Sequence, residues 1–225
     1  MRPIIAASFL LAALTPAVAT AQGTLGLDIN VGSLGYGAGV GLAINESLTA
    51  RFYGAGATIK RNFESSGVGY NARLQWRNAP VLLDWHPGGS VFRISAGVML
   101  NDDKLIVDAK PSSTATYTFN GVTYSAASVG SAKGDIKFNR AAPYIGFGFG
   151  RPIARDQGIN FAMDFGAAYL GKAKATLNVT CGSALPALQC TQLQSDANAE
   201  AAQLADDIKG YKWWPVVQMH LTYAF

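Results

Sequence analysis

The chain has 225 residues, 49% of them hydrophobic and 14% charged, with 25 glycines and a formal net charge of +4. Charge this far below the roughly 25% of soluble domains, joined to this hydrophobicity, excludes an intrinsically disordered chain. The glycines lack the three-residue period of collagen, and the length allows one domain or at most two small ones.

Met1 and Arg2 form a short basic start, Ile4 to Leu14 is an apolar run broken only by Ser8, and Ala19-Thr20-Ala21 precedes Gln22. This order of basic, apolar and small residues predicts a cleavable secretory signal over 1–21 and a mature domain over 22–225. The apolar run is short of the ~20 residues that a spanning helix needs, and no later window is apolar enough to be one. An exported, apolar, glycine-rich chain of this kind is either a secreted β protein or an outer-membrane barrel.

Eight segments then place apolar residues on alternate positions, the period of a strand. They run from Leu25 to Val31, Tyr36 to Ile44, Leu48 to Tyr53, Val68 to Arg77, Phe92 to Leu100, Tyr144 to Gly150, Asn160 to Ala167 and Val217 to Phe225. A soluble sandwich would carry Lys and Glu on its second face. Here that face is glycine, serine and asparagine with a few Arg and Asp residues, which suits a barrel interior, and the apolar face then meets lipid. The fold class expected is all-β: an eight-stranded antiparallel transmembrane β-barrel with a short helix in the last outer loop. Eight strands leave an interior just wide enough for side chains to fill.

Asn45-Glu46-Ser47, Pro87 to Ser90 and Arg155 to Gly158 are short polar turns, as expected on the periplasmic side. Gly32 to Gly35, Lys60 to Ser66, Asn101 to Asn139 and Lys172 to Gly210 are then the outer connections. Asn78-Ala79-Pro80 interrupts the fourth strand and moves its apolar face to Val81, Leu83 and Trp85, as a one-residue β-bulge would. In the third outer loop Asn120-Gly121 lies between alternating β-formers, Tyr117 to Tyr124, and predicts a hairpin. In the fourth, Cys181 and Cys190 are an even pair in an oxidising compartment and predict a disulfide. Ser195 to Lys209 carries acids near its start, a lysine near its end and Gly210 beyond, which predicts a short helix.

Trp213 and Trp214 open the last strand, and Tyr223 and Phe225 close it. Ten residues of strand, about 33 Å long and tilted by ~40°, project to about 25 Å, the height of a barrel's apolar band. Trp85 and Phe92 would join the inner aromatic girdle.

The stretch from Pro215 to the terminal Phe225, with aromatic or apolar residues on alternate positions, resembles the last strand of Gram-negative outer-membrane barrels. The resemblance implies that Tyr223 and Phe225 belong to the signal read by the barrel-assembly machinery. LDWHPGGSVFRISAG (83–97), APYIGFGFG (142–150) and FAMDFGAAYLG (161–171) are similar to small barrels of the CarO and OmpW kind. Membership in that group would imply a bacterial cell outer membrane location, outer-membrane lipid as surroundings and a small-molecule solute as a partner.

Candidate chemistry is sparse. His86 lies beside a turn, and His220 points inward with Thr222 on the same face. Neither sits with a nucleophile and an orienting acid, so no catalytic set is expected and the chain reads as a non-enzyme. Asn101-Asp102-Asp103 is too small a set to be a metal site, no cofactor is implied, and the scattered basic residues give no nucleic-acid surface. The lumen is the informative place. Arg51, Arg73, Arg77 and Arg93 are expected to point inward, with Asp28, Asp84 and Asp164 as partners. Two readings follow from this constellation: Arg–Asp bridges that close the interior, or a narrow charged constriction passing small polar or zwitterionic solutes. The glycine faces and the resemblance tip the expectation towards a channel. The long ordered loops and the small strand number favour a closed barrel displaying loops for structure or adhesion.

Overall fold

A computed structural model describes residues 24–65, 68–110, 116–153, 157–183 and 185–225. The expected signal segment lies outside them, as do Ser66 of the second outer connection and Arg155 and Asp156 of the third short turn. The strands are β1 (Thr24–Gly32), β2 (Gly35–Ala43), β3 (Leu48–Ser65), β4 (Val68–Trp85), β5 (Phe92–Asn101), β6 (Lys104–Lys110) and β7 (Thr116–Phe119). They continue as β8 (Val122–Ser125), β9 (Val129–Lys137), β10 (Ala141–Phe149), β11 (Gly158–Tyr169), β12 (Lys174–Cys181) and β13 (Trp213–Ala224), with one helix, α1 (Ala187–Asp207), before the last strand.

Eight antiparallel strands close a ring in the order β1-β2-β3-β4-β5-β10-β11-β13, and β13 returns to pair with β1 from Gly26↔Ala224 to Gly32↔Gln218. Closure matters because hydrocarbon offers no partner to a free strand edge. The alternation read from the sequence is the ring's two faces. Leu25, Leu27, Ile29 and Val31 of β1 are exposed as a lipid face, while Gly26, Asp28 and Asn30 are buried. Among the described residues no helix is long and apolar enough to cross a membrane. The strands do the crossing.

Three ring strands run on beyond the apolar band. β5 continues into β6 across Asp102-Asp103, β9 leads into β10, and β11 leads into β12. With the far halves of β3 and β4 they form a five-stranded sheet ordered β3-β4-β6-β9-β12, at the end that bacterial barrels turn outward.

The apolar face of β4 changes at this boundary without any bulge. β3 and β4 keep one register from Leu48↔Trp85 to Ser65↔Val68, so the expected bulge at Asn78-Ala79-Pro80 is corrected. Below Asn78, Val81, Leu83 and Trp85 face lipid. Above it the outward positions are Arg73 and Arg77, both exposed, and the inward positions carry Val68, Tyr70 and Trp76. What changes is the medium outside the strand, from lipid to water. The expectation that Arg73 and Arg77 point into the lumen is corrected for the same reason.

The outer extension has its own core. The β7–β8 hairpin turns at Asn120 and Gly121, both at positive φ (50° and 77°), as the Asn-Gly pair requires. α1 lies over β12 and the hairpin, burying Leu193, Ala197 and Ala201, which recur every four residues on one face. Asp196 accepts a hydrogen bond from the Tyr124 hydroxyl at 2.5 Å, and Glu200 accepts one from the Asn120 backbone N–H at 2.9 Å. The helix therefore clamps the turn. It begins at Ala187, eight residues earlier than expected, and its first turn is tied to the end of β12 by the Cys181–Cys190 disulfide.

Closing a loop this short contributes about 2.5–3 kcal/mol in the chain-entropy picture, and that contribution falls on the extension alone. Replacing both cysteines by alanine is expected to speed amide hydrogen exchange over 174–207. The heat-modifiable gel shift of the barrel should stay unchanged.

Candidate functional site in the barrel interior

The inside of the ring is filled in three layers. At the end bearing the short turns, Ile153 is buried with Ala43 and Ala224, and a Cβ on Gly26 or Gly41 would collide with its side chain. Thr222 Oγ1 bonds to the Pro152 carbonyl, which fixes this segment under the ring. At the other end Leu34, Tyr53, Leu82, Met99, Tyr144 and Leu170 form an apolar layer with Val216. Between the two lies a polar layer in which nearly every side chain is charged or hydrogen-bonded.

Arg51 on β3 is its centre. Its Nε and Nη2 donate to the two oxygens of Asp84 on neighbouring β4, at 2.5 and 3.0 Å. Its Nη1 and Nη2 reach Asp164 on β11 at 2.8 and 3.2 Å. In the ring order β3 and β11 are opposite walls, so one guanidinium spans the lumen. Arg93 on β5 also donates to Asp164 Oδ1, at 2.6 Å, and to the carbonyls of Phe149, Gly150 and Met163. Gly148 leaves the room this requires, because a Cβ there would sit 2.6 Å from the Arg93 guanidinium carbon. Ser95 donates to Asp84 at 2.6 Å.

His220 on β13 extends the network to β1. Its Nδ1 lies 3.0 Å from Asp28 Oδ1 and its Nε2 lies 2.9 Å from Asp164 Oδ2. His220 is thus hydrogen-bonded through Nδ1 to Asp28 and has Nε2 within ion-pair distance of Asp164. Arg51, Arg93 and His220 together face Asp28, Asp84 and Asp164. Asn30 bonds Asp28 at 2.8 Å and Gln218 bonds Asn30 at 3.0 Å, so the acceptors at the edge of the layer are also met. Arg51 is 4% exposed, Arg93 and Asp164 0%. Charges this deep in a protein persist only when paired this fully.

Solved structures share this architecture. CarO2 of Acinetobacter baumannii aligns over 90% of this chain and 98% of its own at 22% identity, with a TM-score of 0.55. CarO from the same organism aligns over 89% and 97% at 23% identity, with a TM-score of 0.54. The chain folds as a CarO-like β-barrel. No family model and no curated protein sequence matches it. The exposed apolar belt of the CarO-like ring is a surface suited to lipid.

Of the residues expected in the lumen, the CarO-like fold brings Arg51, Arg93, Asp28, Asp84 and Asp164 into one network. Arg73 and Arg77 stand outside on the extension. Tyr223 and Phe225 are exposed on the lipid face beside one another, 5.3 Å between ring centroids. Ser95, Asn30, Gln218 and the bridging role of His220 were missed, although alternation had already turned Gln218, His220 and Thr222 to one side. Ile153 was missed outright, since its segment has no periodicity. His86 is buried beside its turn with Nδ1 3.1 Å from the Ser90 carbonyl, apart from the network.

At the outer mouth Asp103 accepts from the Arg77 N–H at 2.8 Å and from Asn78 Nδ2 at 3.0 Å. Burial pushes its carboxyl up to about 6. The folded protein thus holds this proton to a higher pH than the unfolded chain, which releases it near 4. Its stabilisation is complete below about pH 4 and is lost as pH rises through 6. Asp103→Asn is expected to flatten that part of the pH dependence of urea unfolding in lipid vesicles. Asp164→Ala removes the acceptor shared by Arg51, Arg93 and His220, and the same measurement should show a loss of about 3–5 kcal/mol.

Proposed function

We propose that this protein is a barrel closed at rest, whose working surface is the ordered extension outside the membrane. The observation that carries the reading is Arg51, chelated by Asp84 and Asp164 from opposite walls with all four contacts at 3.2 Å or less. A guanidinium held in this way leaves no free charge for a passing solute to exchange with. The glycine faces that suggested free volume are taken up by neighbours: Tyr53 lies against Gly39, the Tyr144 hydroxyl against Gly146 and Gly166, and Ile153 against Gly26 and Gly41. No catalytic step belongs to this reading, since both histidines are engaged in structural contacts. Entry into the membrane through the assembly machinery, with Tyr223 and Phe225 as the signal, does belong to it.

A gated passage for small polar or zwitterionic solutes is the second reading. It is favoured by the charge of the middle layer, because a barrel built only to be shut is filled with less desolvation cost by apolar side chains. Planar-bilayer recording of the refolded protein separates the two. The closed reading expects silence from the natural sequence, with the heat-modifiable shift as the folding control, and discrete conductance steps would overturn it. Steps in the natural sequence whose size or ion preference changes in Arg51→Ala/Asp164→Ala would support the gated passage.

A further inference from the structure

The outer extension contains a cavity of about 270 Å³ that the barrel reading does not use. Its floor is the inward face of the five-stranded sheet, with Leu105 and Val107. Its roof is the hairpin, through Tyr117 and Phe119, and α1 closes one side with Ala201 and Leu204. The walls are almost wholly apolar, yet this part of the molecule stands in water. The helix stripe explains the space. Leu193 fills its position fully, whereas Ala197 and Ala201 follow at the same spacing with almost no side chain. The hollow is partly open to solvent and is far larger than the gaps that well-packed interiors leave. An apolar cavity of about 150 Å³ already takes up benzene.

A second observation points to a ligand. Tyr117 is 5% exposed and lines the cavity, and its hydroxyl is buried with no hydrogen-bond partner in the protein. A buried polar atom without a partner is unfavourable by more than an ordinary hydrogen bond gains. Burial also raises the tyrosine pKa, so the hydroxyl keeps its proton and offers a donor. The Glu200 carboxylate lies at the cavity edge, held by the Asn120 N–H, and disfavours an anionic guest.

We propose that this cavity is a binding site for a small, uncharged, mainly apolar molecule with one hydroxyl or carbonyl group, taken up from the medium outside the cell. Scaling from the benzene-sized cavity, its body has roughly ten heavy atoms. The polar group meets Tyr117 and the apolar body fills the space left by Ala201. This deepens the reading of the extension as the working surface and rests on it.

The test titrates 1-naphthol, which is fluorescent and close to this size, into the refolded full chain in detergent micelles. The natural sequence should show saturable one-to-one binding above micelle partitioning. Ala201→Phe, which fills the cavity, should abolish it. Tyr117→Phe should weaken 1-naphthol about three- to ten-fold, the value of one neutral hydrogen bond, and leave naphthalene binding unchanged. Because Ala201→Phe could disturb packing, Ala201→Leu is read beside it, and hydrogen exchange over the hairpin checks that both stay folded. Binding equal in the natural sequence and in both folded Ala201 variants would overturn the proposal. So would a complete absence of saturable binding. Bilayer conductance is independent of this assay: a conducting barrel that still binds 1-naphthol overturns the closed lumen alone, and a silent barrel that does not bind it overturns the cavity alone.

Discussion

Hydrocarbon gives a backbone amide nothing to bond to, so a strand in the membrane must find a partner on each side. The pairing of β1 with β13 is where this chain meets that demand, and the rest of the architecture follows from closing the ring at eight strands. Eight strands enclose a space about as wide as the side chains that line it. The lumen therefore becomes a packed core rather than a void. At several of its wall glycines a long side chain occupies the place: Arg93 at Gly148, Tyr53 at Gly39, and Ile153, from the connection after β10, at Gly26 and Gly41.

Outside the membrane the same strands obey the opposite rule. Once β4 emerges between β3 and β6, its outer face meets water and its inner face becomes the drier one. Arg73 and Arg77 can then sit on the face that carries Val81 and Leu83 lower down. The register runs straight through the boundary. One continuous strand thus has two hydrophobic patterns, inverted relative to each other, and the inversion marks the level of the interface.

That inversion also sets what the sequence could reveal. The eight ring strands were legible because lipid on one side and a small lumen on the other impose a strict period of two. The five lumen charges were legible for the same reason. Arg73 and Arg77 were misplaced by applying the membrane rule to a segment beyond the membrane, which also created the need for a bulge that does not exist. The start of α1 was hidden because Pro186 precedes it without a capping side chain and its first turn carries no acid. The acids Asp196 and Glu200 looked like the first turn instead, whereas Asp196 is buried and spends its carboxylate on Tyr124. Ile153, β6, β9 and β12 depend on long-range partners that no local pattern encodes.

The charged middle layer remains the feature with the least obvious energetic reason, since apolar filling avoids the desolvation of its arginines and aspartates. Register supplies a reason. A slip of one residue between two strands exchanges every inward side chain with an outward one. For the small residues of this barrel that exchange crowds the lumen, since a side chain at Gly26, Gly39 or Gly148 would meet Ile153, Tyr53 or Arg93. For Arg51 or Arg93 it would place a guanidinium against lipid, at about 2–4 kcal/mol near the midplane. It would also strand Asp84 and Asp164 without partners. The network joins β1, β3, β4, β5, β11 and β13, six of the eight ring strands, and has members on both sides of four of the eight seams. Charge in the lumen thus adds to the steric cost of a misregistered barrel a second cost that an apolar filling would lack.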